Sequence, residues 1–140
     1  MALKASALKI GDTRKERVVE NLSRTQIVQY AGASGDYNPL HTDEVYTTKV
    51  AGYPSTFAHG MLTMGLTGKV VTDYVGDGTL TKFGVRFTNQ VWPGDTLDAT
   101  ATVTAIREDS GQHYVDLALS TVNQDGKEVM AGTATARIDP

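Results

Sequence analysis

One stretch limits the fold of this chain more than any other: HGMLTMGLTGKVVTDYVGDG, residues 59–78. Met61, Leu62, Met64, Leu66, Val70, Val71, Tyr74 and Val75 recur there at helical spacing and cover most of the helix circumference. A helix that is apolar nearly all round has to be buried, so other elements must wrap it. Gly65 and Gly68 lie inside it, and each costs a helix about 1 kcal/mol relative to alanine. Such positions are explained if another backbone, or a ligand, comes very close.

The second half of the chain supplies the wrapping. TKFGVRFTNQVW is rich in β-branched and aromatic residues and stops at Pro93-Gly94-Asp95, a turn sequence. TLDATATVTAI then sets Leu97, Ala99, Ala101, Val103 and Ala105 against Asp98, Thr100, Thr102 and Thr104, the period of a half-buried strand. EDSG turns the chain into QHYVDLALSTV, with Val115, Leu117 and Leu119 on one face, and NQDG turns it again into KEVMAGTATARI. Three successive hairpin-linked strands predict an antiparallel meander, to which ERVVE near the start adds another strand. One buried helix and a curved antiparallel sheet make an α+β fold, in a single domain over residues 1–140. Such a sheet leaves an edge and part of a face open, so dimerisation is expected.

The first half reads as helices and loops. In SRTQIVQYAGASG, Ser23 is followed three residues later by Gln26, a capping-box pattern, and Gly32 or Gly35 ends the element. A short helical turn is expected around residues 43–48. A net charge of −3 gives no basic stripe for nucleic acid and no polybasic membrane patch. No run approaches membrane-spanning length and the start lacks an apolar segment of signal-peptide length, so a cytoplasmic protein is expected. The absence of cysteine excludes disulfides, cysteine-based metal sites and thiol nucleophiles.

Chemistry concentrates in SGDYNPLH, residues 34–41. Pro39 forbids the α region for Asn38 and has no N–H, so Asp36 and His41 are predicted to lie off any regular helix. Gly35 permits a left-handed backbone just before Asp36. The loop can then bring a carboxylate and an imidazole to one spot, where they hold or activate a water near neutral pH. Asn38 would hold the loop or orient one partner. The competing account is a capped polar turn, with Asp36 and Asn38 on backbone N–H groups and His41 on the surface.

His59 and Gly60 open the apolar helix. Its first N–H groups lack intrahelical partners and lie at the positive end of the helix dipole. A glycine there admits a ligand carbonyl, which describes an oxyanion hole, or else it is a simple loop-to-helix junction. Two histidines and an aspartate have no distinctive metal-ligand spacing here, so no metal and no cofactor are expected. No serine lies in a nucleophile elbow.

YAGASGDYNPLH, followed about twenty residues later by AHGMLTMG, resembles the MaoC-like, R-specific enoyl hydratase family, whose signature is Y/F-x-x-x-S-G-D-x-N-P-x-H. VRFTNQVWPGDTL resembles that family's F…P-x-x-PGD-x-L segment. The resemblance implies a hot-dog fold, in which an antiparallel sheet wraps a long central helix, and a dimer with a joined sheet. It implies catalytic roles for Asp36, His41 and the Gly60 N–H, and an orienting role for Asn38. His59 stands beside them with an open role. Some family members carry a serine that shapes the acyl pocket where this chain has Gly68, which implies a wider pocket there. The implied activity is reversible hydration of trans-2-enoyl thioesters to (3R)-3-hydroxyacyl thioesters. The implied substrate is a thioester of CoA or acyl carrier protein, and the partner is a second copy or a related hot-dog subunit. A hot-dog acyl-CoA thioesterase and a thioester-binding subunit of a heteromeric dehydratase are the alternatives.

Overall fold

The computed structural model describes residues 3–140, so Met1 and Ala2 of the expected 1–140 domain lie outside the described residues. Strand β1 (Thr13–Val19) is followed by helix α1 (Arg24–Ser34), a short helix α2 (Pro39–Thr42), a π-helical turn (Tyr46–Val50) and the long helix α3 (Gly60–Val75). Strands β2 (Leu80–Phe87), β3 (Leu97–Asp109), β4 (Gln112–Val122) and β5 (Glu128–Ile138) complete the chain. They form one antiparallel sheet in the order β1-β3-β4-β5-β2, packed on α3, the α+β hot-dog arrangement expected from the resemblance.

The hairpins β3–β4 and β4–β5 form the expected meander. Leu97, Ala99, Ala101 and Val103 are buried, but the alternation breaks at Ala105, where a bulge shifts the register against β4. Pro93-Gly94-Asp95 joins no hairpin. It carries the chain from β2 at one edge of the sheet to β3, beside β1, at the other side. Val71 and Val75 of α3 fill the main core with Val115, Leu117, Leu119, Ala134 and Ala136 of the sheet. A buried hydrogen bond of 2.6 Å joins the hydroxyls of Thr67 on α3 and Thr121 on β4.

Helix α3 is less enclosed than its apolar circumference predicts. Thr63, Thr67, Val70, Val71 and Val75 face the protein, whereas Met61 is 55% exposed and Gly65, Lys69 and Asp73 are also exposed. A five-stranded sheet covers one side of a helix. The apolar count measured how much surface wants cover and not whether one chain provides it. The Lys69–Asp73 ion pair lies on the open side.

Gly65 has nothing near its missing side chain, and beside Gly68 the ring of Phe83 lies 3.1 Å from where a Cβ would be. The wider pocket expected at Gly68 is therefore corrected: the glycine makes room for Phe83. The sharpest close approach is at Gly132 on β5, where a Cβ would fall 2.1 Å from the Gly84 carbonyl oxygen and 2.8 Å from Val85 Cα on β2. Gly132→Ala must push the edge strand β2 away, and a loss of about 1–3 kcal/mol is expected in urea unfolding. An unchanged unfolding midpoint would contradict this packing.

Candidate functional site

Helix α1 begins and ends as its sequence dictates. The Ser23 side chain accepts from the Gln26 N–H while the Gln26 side chain accepts from the Ser23 N–H, completing the capping box. Gly35 ends the helix in the left-handed conformation at φ 73°. The chain then enters two consecutive side-chain-capped turns. Asp36 Oδ1 accepts the Asn38 N–H at 3.2 Å, and Asn38 Oδ1 accepts the Leu40 N–H at 3.0 Å.

The expectation that His41 lies off any regular helix is corrected by α2. Asn38 is extended, as a residue before proline must be, and serves as N-cap, while Pro39 takes the first helical position. Proline's fixed φ suits that position, where its missing N–H costs nothing. The short helix turns His41 inward, so its side chain is only 11% exposed. The capped-turn account thus holds for the backbone and fails for the histidine.

This division leaves Asp36 with two carboxylate oxygens in different employment. Oδ1 holds the turn, and Oδ2 faces His41 Nε2 at 3.9 Å and His59 Nε2 at 4.0 Å. Those separations are too long for direct hydrogen bonds. They suit one small polar molecule bonded to carboxylate and imidazole together. The His41 Nδ1 lies 2.7 Å from the Phe57 carbonyl oxygen, which only accepts, so Nδ1 carries the proton and Nε2 presents its lone pair. His59, 1% exposed, donates from Nε2 to the Asp36 carbonyl at 3.0 Å, leaving Nδ1 buried without a partner among the described residues. It stacks on His41 with ring centroids 3.7 Å apart and meets Tyr30 edge-on at 4.8 Å.

Asp36, His41 and His59 offer ligand atoms within 4.8 Å of one another. As a metal set they fit poorly. His59 Nε2 is committed as a donor to a carbonyl, and two stacked imidazoles aim their in-plane lone pairs side by side instead of at one point.

Gly60 is the first residue of α3, and His59, its N-cap, makes no side-chain capping bond. Among the described residues the Gly60 N–H, at the positive helix end, has no hydrogen-bond partner. The glycine has a second reason: a Cβ would meet the ring of Phe87 at 3.0 Å. The segment leading to it is tied down on every side. Glu44 Oε2 accepts from Arg24 at 2.7 Å and from the Thr56 N–H at 3.2 Å, the Phe57 N–H donates to the Leu40 carbonyl, and the Ala58 N–H donates to that of Val91.

Asp36, His41, Asn38, His59 and Gly60 thus come together, and Gly68 lies apart against Phe83. Phe57, Phe87 and the Arg24–Glu44–Thr56 group were missed from sequence. Only Arg24 carried a signal. A cation at the first position of a helix opposes its dipole and calls for a counter-charge, which Glu44 supplies.

The family model of the MaoC like domain matches residues 5–124. The chain is 30% identical over 131 residues to the (R)-specific enoyl-CoA hydratase of Rhodospirillum rubrum, covering 92% of this chain and 88% of that one. It is 42% identical over 67 residues to 3-hydroxyacyl-thioester dehydratase Y of Mycobacterium tuberculosis, a stretch that covers 46% of this chain and 23% of that longer protein. The chain spans less than a third of several such longer relatives. Among solved structures, an R-hydratase from Pseudomonas aeruginosa superposes with a TM-score of 0.84 at 26% identity, covering 99% of this chain and 86% of the other.

Burial holds the His41 pKa below the ordinary histidine value, with the nearby His59 acting the same way; the Phe57 carbonyl and Asp36 oppose the shift without reversing it. The unfolded chain then binds the proton more readily. The His41 contribution to stability is complete above the ordinary value and is lost as pH falls through the lowered one. NMR titration of His41 is expected to give a lower midpoint in the folded protein than in urea. A folded midpoint at or above the unfolded one would contradict a desolvated imidazole.

Proposed function

This chain belongs to the MaoC-like family, and from that premise we propose that it reversibly hydrates trans-2-enoyl thioesters to (3R)-3-hydroxyacyl thioesters. The observation that carries the reading is the pairing of Asp36 Oδ2 with His41 Nε2 at 3.9 Å while Oδ1 and Nδ1 are each held by backbone groups. Both free atoms accept hydrogen bonds, so together they hold the two hydrogens of one water.

In hydration, His41 Nε2 takes one proton of that water as its oxygen bonds to C3 of the enoyl group. Electron density moves through C2 to the thioester oxygen, where the Gly60 N–H and the helix terminus stabilise it. The proton on Nε2 then passes to C2 from the same face, and the hydroxyl and hydrogen have added syn. Dehydration reverses each step. A lowered pKa keeps His41 in its free-base form near neutrality. Asp36 orients the water and stabilises the imidazolium formed in passing. Asn38 fixes the start of α2 and hence the His41 backbone.

The reading extends to a single hot-dog domain acting in the cytoplasm as a homodimer or with a related subunit. No helix among the described residues is long and apolar enough to cross a membrane. Support for pairing comes from the two edges of the sheet. Strand β1 carries Arg14, Lys15, Glu16 and Arg17, charges that discourage edge pairing, whereas β2 presents Gly84 and half-exposed Phe87 beside the open side of α3.

With crotonyl-CoA, loss of enoyl absorbance without release of free thiol is expected. Thiol release with the enoyl absorbance intact would instead show a thioesterase. Asp36→Asn and His41→Ala are each expected to lower kcat by about 10²-fold or more. Asp36→Asn should change the urea midpoint little, whereas His41→Ala leaves the Phe57 carbonyl unpaired and should also lose about 1–3 kcal/mol of stability. Near-normal turnover by either variant would overturn the assigned roles.

A further inference from the structure

His59 is a buried polar side chain that takes no part in the proton transfers of the proposed reaction. Its ring is fully enclosed, and its Nδ1 atom has no hydrogen-bond partner among the described residues. Leaving a buried polar atom unpaired costs free energy, so a residue that does so is kept for another reason. An apolar side chain at this position would fill the space without that cost.

Two needs of the site meet at this ring. Asp36 is half exposed, so packing alone does not hold its carboxylate. Its Oδ1 accepts the Asn38 N–H, its own N–H donates to Ser34 Oγ at 3.2 Å, and its carbonyl accepts from His59 Nε2. Ser34 and Asn38 belong to the same turn and fix its shape. His59 is the N-cap of α3, so its bond fixes where the turn stands relative to the Gly60 N–H.

His41 has the complementary need. Its Nδ1 bond to the Phe57 carbonyl fixes one ring atom, and a ring held at one atom can still tilt. The His59 ring lies against one of its faces with the planes 25° apart, and the Phe57 ring meets it edge-on at 5.4 Å. Both Nε2 atoms come within 4.0 Å of Asp36 Oδ2, so the two histidines present the same edge to the site. The carbonyls they face put their protons on opposite nitrogens, Nδ1 of His41 and Nε2 of His59. The lone pair of His41 Nε2 thus lies on the same edge as the His59 N–H, and opposite partial charges attract across the stack.

A planar ring with an N–H at its edge meets both needs, and the unpaired Nδ1 is what such a ring leaves over. On the hydratase reading, on which this inference rests, we infer that His59 is a positioning residue. Acting through Asp36 and His41, it aims Oδ2 and the Nε2 lone pair at one water.

Heteronuclear NMR of the ring nitrogens in the unmodified protein is expected to show His41 protonated at Nδ1 and His59 at Nε2. The same tautomer on both would overturn the inference before any variant is made. His59→Phe keeps the ring and removes the donor. With crotonyl-CoA it is expected to lower kcat about tenfold and leave KM within about twofold, because the lost bond orients the reacting groups. In the Asp36→Asn background the carboxylate to be positioned is gone, and the same change is expected to cost less than about twofold. Equal losses in both backgrounds, or no loss in either, would overturn the inference while leaving the hydratase reading intact. If His59→Phe does not fold, His59→Gln, which keeps a donor and removes the ring, is measured against His41→Ala with the same expectations. Failure of the unmodified protein to hydrate crotonyl-CoA would overturn the hydratase reading, and this inference with it.

Discussion

The hydrogen bond from His41 Nδ1 to the Phe57 carbonyl is the interaction on which the site depends. It satisfies a carbonyl in a segment that belongs to no helix or strand, and in the same act decides which imidazole nitrogen is left as a base. It also couples two stretches far apart in sequence, the turn that holds Asp36 and the approach to α3 that ends in the Gly60 N–H. The Leu40 carbonyl receives the Phe57 N–H in return, so α2 and the approach to α3 are joined by a reciprocal pair of bonds. A small displacement of this segment would move the His41 imidazole and the Gly60 N–H together.

Around that bond the structure spends polar groups sparingly. Asp36 uses one oxygen for its turn and keeps the other for the site. His59 uses one nitrogen to hold the Asp36 carbonyl and spends its ring face on His41. Glu44 secures the other end of the approach segment through the Thr56 N–H, and Arg24 beside it holds its carboxyl below the usual carboxylate range. That pair is half exposed, and exposed pairs contribute little to stability. Its consequence is positional.

Much of this was legible in the sequence where local chemistry decides. Ser23 with Gln26 fixed the start of α1, the alternation from Leu97 to Val103 gave β3, and the turn sequence between Asp36 and His41 announced that the two side chains would meet. What escaped the sequence was set by partners distant along the chain. Pro39 was read as a helix breaker, yet at a first helical position it starts α2. Gly68 and Gly132 were shaped by Phe83 and β2, which no local pattern names. The expected turn around residues 43–48 is present as helical backbone running from Glu44 to Val50, started by the Asp43 side chain, which accepts the Tyr46 N–H. The open side of α3 was hidden because an apolar helix surface looks the same whether its own sheet or another chain covers it.

The central claim is that one water, shared by Asp36 and His41, delivers both its hydroxyl and its proton to one face of the enoyl group. Hydration of crotonyl-CoA in D2O, with NMR assignment of the product's C2 and C3 centres, tests it most directly. The account expects (3R)-3-hydroxybutyryl-CoA with deuterium and hydroxyl added to the same face. A 3S product, or addition to opposite faces, would contradict it.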